Sequence, residues 1–512
     1  MKKALIWLHR WLGVVLALFF LMWFASGVVL YFVPFPGLTQ TERLQAAAPL
    51  ALPAGCCLSA AAAAQQAGLT APRLEQARLG LLGVAPVWRL SASATEGGAQ
   101  RWHAVDAASG QRLAPLDTAQ ALQVAQAFSG RRALASEWVE RDQWTVPQGL
   151  DAHRPLLKVR LEGEDGLELY VSPGAAEVVR DTRRAERFWN WLGAVPHWIY
   201  PTVLRQFPKA WHQVVVWLSI PAVLLVASGL VLGVWQLFLN PRRRIPYRQF
   251  WWRWHHIAGL VAGLFAFTWM LSGLLSMGPF GVFDGARLEP QARVLWAGAA
   301  PALARGPAEA AARVQADGLA PLEIDLQQVA GQAWWRVQAR ASDGALAQRL
   351  VRADGVQAQV LAALPDATLQ AALAAMRPQR AAPQIERLAQ YDDAYYARGQ
   401  GAEALARRPL PVWRAHWPED GITVYADPAS ARIVLQTDRR TPYKRWLYHG
   451  LHSLDFAPLL ARPLLRDALV LGLSLLGLGL CATSCVLAWR VLAPAPRRRQ
   501  PLARATMRPQ QG

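Results

Sequence analysis

Residues 9–27 read HRWLGVVLALFFLMWFASG, and residues 255–273 read HHIAGLVAGLFAFTWMLSG. His9, Gly13, Ser26 and Gly27 thus recur as His255, Gly259, Ser272 and Gly273 with the same internal spacing, at an offset of 246 residues. A second set recurs at an offset of 255 residues: Tyr170, Pro173, Trp191, Leu192 and His197 match Tyr425, Pro428, Trp446, Leu447 and His452. The chain therefore reads as two copies of one unit. Repeats put equivalent residues at equivalent depths, so each histidine gains a symmetry partner.

Around these segments lie four charge-free apolar stretches, Trp11–Val33, Val214–Leu239, Ile257–Phe283 and Ala468–Trp489. Each exceeds the roughly 18–20 residues that cross a bilayer. The pattern predicts transmembrane helices at 11–33, 212–239, 254–278 and 464–490. Val33 to Gly37 offers no small-residue cleavage site, so the first reads as an uncleaved anchor.

A net charge of +19 suggests a nucleic-acid partner until the charges are placed. Lys2, Lys3 and Arg10 precede the first stretch; Arg242, Arg243, Arg244, Arg248 and Arg253 link the second to the third; Arg490, Arg497, Arg498, Arg499, Arg504 and Arg508 follow the fourth. No Asp or Glu stands among them. Four crossings put all of them on one side, which the positive-inside rule makes the cytoplasm. The N-terminus (1–10), the basic loop (240–253) and the tail (491–512) are then cytoplasmic, and no nucleic acid is needed to explain the charge. Domains at 34–188 and 279–444, with interfacial segments at 189–211 and 445–463, lie outside. Many of the 24 Trp sit at span ends, as an aromatic belt in the headgroup layer would.

Each outside loop begins with an Ala-rich helical stretch, Leu58–Ala67 or Ala308–Ala316, and continues into alternating segments such as Val87–Ser91 and Trp334–Ala339. Turns follow at Asp106–Gly110 and Asp354–Gly355. A second round gives helices at Thr118–Phe128 and Asp366–Met376. Strands then follow at Leu156–Leu161, Leu167–Val171, Val412–His416 and Ile422–Tyr425. This predicts about two small α+β units per loop, each a helix on an antiparallel sheet. No Gly-x-Ser-x-Gly, His-Glu-x-x-His or phosphate-cradling glycine run occurs. His103, His153 and His416 read as surface or loop histidines, and Asp392, Asp393, Tyr395 and Tyr396 as a turn with solvated charges. Adjacent Cys56 and Cys57 are poorly placed to bridge. Cys481 and Cys485 read as small filler in the fourth span, and no Cys-x-x-Cys-His motif attaches a c-type haem.

Seven of the ten histidines stand at span ends: His9, His255, His256, His197, His212, His449 and His452. One such residue reads as an interfacial side chain; two symmetric pairs read as a site, because an ionisable group beside hydrocarbon needs a partner. If the repeats are related by an axis along the membrane normal, His9 faces His255 and His197 faces His452. Two imidazoles facing across a bundle can hold one haem iron from opposite sides. Gly13, Gly27, Gly259 and Gly273 leave room for a flat macrocycle. Two haems would divide the roughly 30 Å of hydrocarbon into shorter electron hops. Zinc prefers tetrahedral sets with Cys or carboxylate added, and none stands near these residues. A proton relay is the remaining reading.

The chain resembles the PepSY-associated transmembrane family, often described as iron-regulated membrane proteins. The residues that carry this are Leu8-His9-Arg10-Trp11-Leu12-Gly13, the Ser-Gly pairs of spans one to three and Tyr425-Ala-Asp-Pro428. The most specific is Arg445-Trp-Leu-Tyr-His-Gly-Leu-His-Ser-Leu-Asp-Phe456 with Arg462-Pro463. The resemblance implies a bundle of four transmembrane helices in two parallel repeats with two α+β PepSY-like extracytoplasmic domains. It also implies an integral reductase with two b-type haems that reduces ferric siderophores outside the cytoplasmic membrane. Carried over by position, it points to His9 and His255, with His197 and His452 or His449, as iron ligands. His212 has no histidine counterpart in span four, where the register falls near Asp467, and His256 pairs with Arg10. Ser484-Cys485 is set against Ser228-Gly229 of span two.

The leading expectation is an inner-membrane b-type haem protein, a membrane ferric reductase acting on a ferric siderophore or other chelated Fe(III). It would draw electrons from a quinol or a cytoplasmic reductase, since no nucleotide-binding fingerprint is present. The second is a PepSY-anchored peptide- or protein-binding regulator without redox activity, and the third a component of an iron-chelate transporter.

Overall fold

The computed structural model describes residues 2–69, 77–92, 100–239, 245–355, 357, 359–399 and 401–493. The basic positions at 242–244 and 497–508 fall outside the described residues. Among the described residues, four helices are long and apolar enough to cross a bilayer: Lys2–Phe32, Pro208–Leu239, Phe250–Ser276 and Pro463–Leu492. The chain is a multi-pass membrane protein. Each of the four is a continuous helix, as expected where every backbone N–H and C=O must bond within its own segment.

These helices begin before the apolar stretches that announced them. No proline or glycine interrupts 2–12, so the first helix extends through the basic residues and carries His9 inside it rather than ahead of it. The third likewise starts at Phe250 and contains His255 and His256. The second and fourth open on Pro208 and Pro463, a first-turn position where the missing N–H costs nothing.

The chain divides into two compact units. One comprises residues 1–24, 220–267 and 472–512. Within it the helices pack closely at small residues. Leu260 lies over Gly233 and Leu230 over Gly263, and Phe24 meets Phe265 edge-on at 6.4 Å. Small residues at such crossings let backbones approach.

The other unit comprises Ala25–Ser219 and Thr268–Leu471. Its first strands are β1 (Ala77–Leu82), β2 (Ala85–Ala92), β3 (Arg101–Asp106), β4 (Ala133–Val139), β5 (Leu156–Leu161), β6 (Glu168–Ser172) and β7 (Glu177–Thr182). The later ones are β8 (Ala320–Val329), β9 (Gln332–Arg340), β10 (Leu346–Arg352), β11 (Val360–Leu361), β12 (Gln384–Leu388), β13 (Val412–Trp417), β14 (Ile422–Asp427) and β15 (Arg432–Thr437). They form three antiparallel sheets, ordered β11-β10-β9-β8-β1-β2-β3, β4-β5-β6-β7 and β12-β13-β14-β15. The β8–β9 hairpin turns on Ala330 and Gly331, whose φ angles of +50° and +72° suit a two-residue turn of the primed type.

Two separate α+β units per loop were expected; the first unit of each loop instead merges with its counterpart. Leu79 of β1 pairs with Ile324 of β8, so strands from both loops share the seven-stranded sheet. Trp88 and Trp335 are buried on it with ring centroids 6.4 Å apart, and their indole N–H groups donate to the carbonyls of Leu58 and Arg305. The Ala-rich helices Ala60–Gln66 and Pro307–Ala316 complete that core. The helix Thr118–Ser129 covers β5–β7, capped by Asp117, and Asp366–Ala375 covers the β12–β15 sheet.

A buried ionic cluster lies in the same unit. Arg78 donates to Glu177 at 2.6 Å and to Glu323 at 3.0 Å, Arg43 also binds Glu323, and Arg89 approaches Glu177 at 3.4 Å. Buried charges survive only when paired in this way. Other expectations are corrected here. Cys56 and Cys57 are joined by a disulfide. His103 is buried on β3 rather than at the surface, whereas His153 lies half-buried in the connection between β4 and β5 and stacks on Trp102 at 5.3 Å. His416 lies on β13 with Nδ1 2.8 Å from Thr423 Oγ1. At the Asp392 turn Asp393 is exposed, as expected, but the neighbouring residues are packed. Tyr395 is buried and stacks on Tyr425 at 5.0 Å, and Asp392 accepts hydrogen bonds from Tyr425 and Arg414.

Candidate functional site

In the first unit the rings of His9 and His255 face each other, with centroids 6.3 Å apart and planes inclined by 42°. His9 Nδ1 lies 3.1 Å from the Leu225 carbonyl oxygen and 3.3 Å from Ser228 Oγ. His255 Nδ1 lies 3.1 Å from Thr483 Oγ1 and 3.4 Å from Ser484 Oγ.

In the second unit His197 and His452 face each other, again with centroids 6.3 Å apart and planes inclined by 58°. They come from the short helices Ala194–His197 and Leu451–Ser453, outside the spans. His197 Nδ1 lies 3.3 Å from Ser26 Oγ. His452 Nδ1 lies 3.0 Å from Ser272 Oγ and 3.3 Å from the Trp269 carbonyl oxygen. Burial pushes the His452 imidazole below its ordinary pKa, favouring the neutral ring that can serve as a ligand.

One device recurs at all four rings: a hydroxyl on a neighbouring span meets Nδ1. Glycine follows that hydroxyl three times, as Ser26-Gly27, Ser228-Gly229 and Ser272-Gly273. Each of these glycines lies beside an imidazole. A Cβ on Gly229 would stand 2.6 Å from His9 Cε1, one on Gly27 3.0 Å from His197 Cε1, and one on Gly273 3.6 Å from His452 Cε1. Gly229 and Gly27 admit the imidazoles themselves, whereas at Gly273 a Cβ would make ordinary contact. Gly13 and Gly259 instead face Leu225 and Leu480. The fourth counterpart is Thr483-Ser484, not Ser484-Cys485. Thr483 occupies the hydroxyl position and Ser484 the glycine position, while Cys481 is buried.

The remaining three histidines join neither pair. His212 Nε2 donates to the Met277 carbonyl at 2.9 Å. The His256 ring meets Tyr247 at 5.5 Å, and its Nε2 is buried with no partner among the described residues. The His449 ring lies 4.7 Å from that of Tyr448, with Nδ1 likewise unpartnered. Burial, reinforced by Arg398, Lys444 and Arg445, pushes His449 down to about 3.

Sequence reasoning missed the polar cluster beside His452. Asp455 is fully buried and accepts from Arg398 Nε at 2.8 Å and Arg466 Nη2 at 2.6 Å. Arg445 donates to the carbonyls of Asp393 and Asp455 and stacks over Tyr396 at 4.0 Å. These residues stood inside or beside the quoted 445–456 motif, but only the fold brings Tyr396 and Arg398 to it.

Among the described residues, no group of three or more His, Cys, Asp or Glu side chains is disposed around one ion. Each histidine pair offers two nitrogen donors, so a metal held there takes its other ligands from elsewhere.

The fold and these pairs define a multi-pass membrane protein, with four spans among the described residues, α+β regions between spans and two sets of facing imidazoles. A family model described as the PepSY-associated TM region matches residues 6–354, more than half of the chain. The chain belongs to the PepSY-associated transmembrane family. No curated protein matches it.

Proposed function

We propose that this protein is a b-type haem electron-transfer protein of the bacterial inner membrane that reduces chelated Fe(III), such as a ferric siderophore, on the periplasmic side. The observation that carries the reading is the spacing of the two histidine pairs, 6.3 Å between ring centroids in each. A metal–nitrogen bond of about 2 Å, plus about 1 Å from nitrogen to ring centre, puts two imidazoles on one iron about 6 Å apart. The donor set agrees, since two neutral nitrogens suit an iron whose other four ligands come from a porphyrin. His9 with His255, and His197 with His452, would hold the haem iron; His212, His256 and His449, which join neither pair, would not.

Haem supplies a one-electron carrier. The chain would fix both rings of each pair through the groups that meet their Nδ1 atoms. The two repeats, related by duplication, would give two haems between a quinol or cytoplasmic reductase and the external chelate. Each electron leaves the donor oxidised by one equivalent and converts one Fe(III) to Fe(II). The ferrous ion is held less well by hard oxygen ligands. The basic segments keep both termini cytoplasmic.

The test is a visible absorption spectrum of detergent-purified protein, oxidised and then reduced. A Soret band with sharp α and β bands on reduction, lost again on adding a ferric chelate, supports the reading. Protein expressed with ample haem that shows no Soret band would remove it.

A further inference from the structure

The hydroxyls beside the histidines carry more information than their distances. Ser228 Oγ donates its hydrogen to the Leu225 carbonyl at 2.8 Å, and Ser272 Oγ to the Trp269 carbonyl at 3.0 Å. In the fourth span Thr483 Oγ1 and Ser484 Oγ both donate to the Leu480 carbonyl, at 2.7 and 2.9 Å. A hydroxyl has one hydrogen. With that hydrogen committed to a carbonyl, each of these oxygens can only accept from the imidazole it meets. The hydrogen of the ring must then sit on Nδ1, and Nε2 keeps a bare lone pair.

The grip is not equal at every ring. His9 also donates to the Leu225 carbonyl and His452 to the Trp269 carbonyl, so backbone alone would hold their tautomers. Both acceptors at His255 are side-chain hydroxyls. We infer that Thr483 and Ser484 are positioning residues that fix His255 in the Nδ1–H tautomer and so present its Nε2 to the facing His9 site. The fourth span thereby does with two hydroxyls what the second and third do with one hydroxyl and one carbonyl. Only what Nε2 then binds rests on the haem reading; the tautomer does not. An imidazole left free in water prefers the opposite, Nε2–H form. Without these hydroxyls the nitrogen needed for iron would carry the hydrogen.

The test uses full-length protein in detergent, labelled with ¹⁵N in histidine, whose imidazole shifts separate protonated from bare nitrogens. In the haem-free chain His255 should show a protonated Nδ1 and a bare Nε2. Thr483→Val with Ser484→Ala, which keeps the shape and removes both acceptors, should move His255 toward the Nε2–H form. Thr483→Ser should not. In haem-loaded protein the double variant should release haem to apomyoglobin about 10–100-fold faster, as loss of an outer partner typically does. Ser228→Ala and Ser272→Ala should have far smaller effects, because their carbonyl acceptors remain. A bare Nδ1 on wild-type His255, or a double variant whose shifts match wild type, overturns the inference. A chain without a Soret band removes the proposed function, yet the nitrogen shifts still decide the tautomer.

Discussion

His452 stands from His197 at the separation His9 keeps from His255, 6.3 Å between ring centroids. The surroundings differ. The first pair sits on long apolar helices, the second on short helices beside a buried cluster of arginines around Asp455. One spacing in two settings is what a common ligand between the rings would require.

Replacing His9 or His255 with leucine should therefore remove one haem of two. The pyridine haemochrome assay, referred to protein concentration, should fall from about two equivalents per chain to about one. Glutamine at His212, His256 or His449 should leave it at two. A fall in the second group with none in the first would reassign the ligands.

The glycines beside the rings give a graded test. Gly229→Ala would put its methyl 2.6 Å from His9 Cε1, closer than any contact tolerates, so the ring must move and the first pair should lose haem. Gly27→Ala, at 3.0 Å from His197 Cε1, should weaken the second pair less severely. Gly273→Ala, at 3.6 Å from His452 Cε1, makes ordinary contact and should leave occupancy unchanged. Haem content across the three variants decides the order.

Stability of the extramembrane sheets should hinge on Arg78. Arg78→Met leaves the Glu177 and Glu323 carboxylates buried with less compensation and should cost about 3–5 kcal/mol. The exposed Arg132–Glu162 contact, 3.8 Å long, is the control: Arg132→Ala should cost about 0–1 kcal/mol. Thermal unfolding followed by circular dichroism distinguishes the two.

Acid should act through Asp420. Arg377 donates to both of its oxygens, at 3.1 and 2.6 Å, and holds the carboxyl down at about 2. A carboxyl whose pKa is depressed in the folded state stabilises the fold above the ordinary aspartate value of about 4 and loses that contribution as pH falls through about 2. Unfolding midpoints measured between those limits should fall with pH in wild type and flatten in Arg377→Met.

Much of this was readable from residues alone. The spans were legible because lipid demands long uncharged runs, and the pairing of His9 with His255 because the duplicated spacing repeats at 246 residues. The strand Leu156–Leu161 was read with its observed bounds, and the expected Val412–His416 stops one residue short of the strand Val412–Trp417. The merger of β1 with β8 was not legible, because strand partners between distant segments leave no local periodicity. The helical grip of Ser228 on His9 was hidden for the same reason: it joins residues 219 apart. Thr483 was obscured by a one-residue slip, since Ser484-Cys485 looks more like Ser-Gly than Thr483-Ser484 does.

The Leu79–Ile324 pairing makes the two halves of the gene product complementary rather than self-sufficient. A fragment ending near residue 244 would present β1 as an unsatisfied ladder, and a fragment starting near 245 would do the same with β8. During synthesis the earlier half must wait, with that ladder open, until the later one emerges. Co-expressed fragments should find each other through it, whereas either made alone should be a substrate for proteolysis.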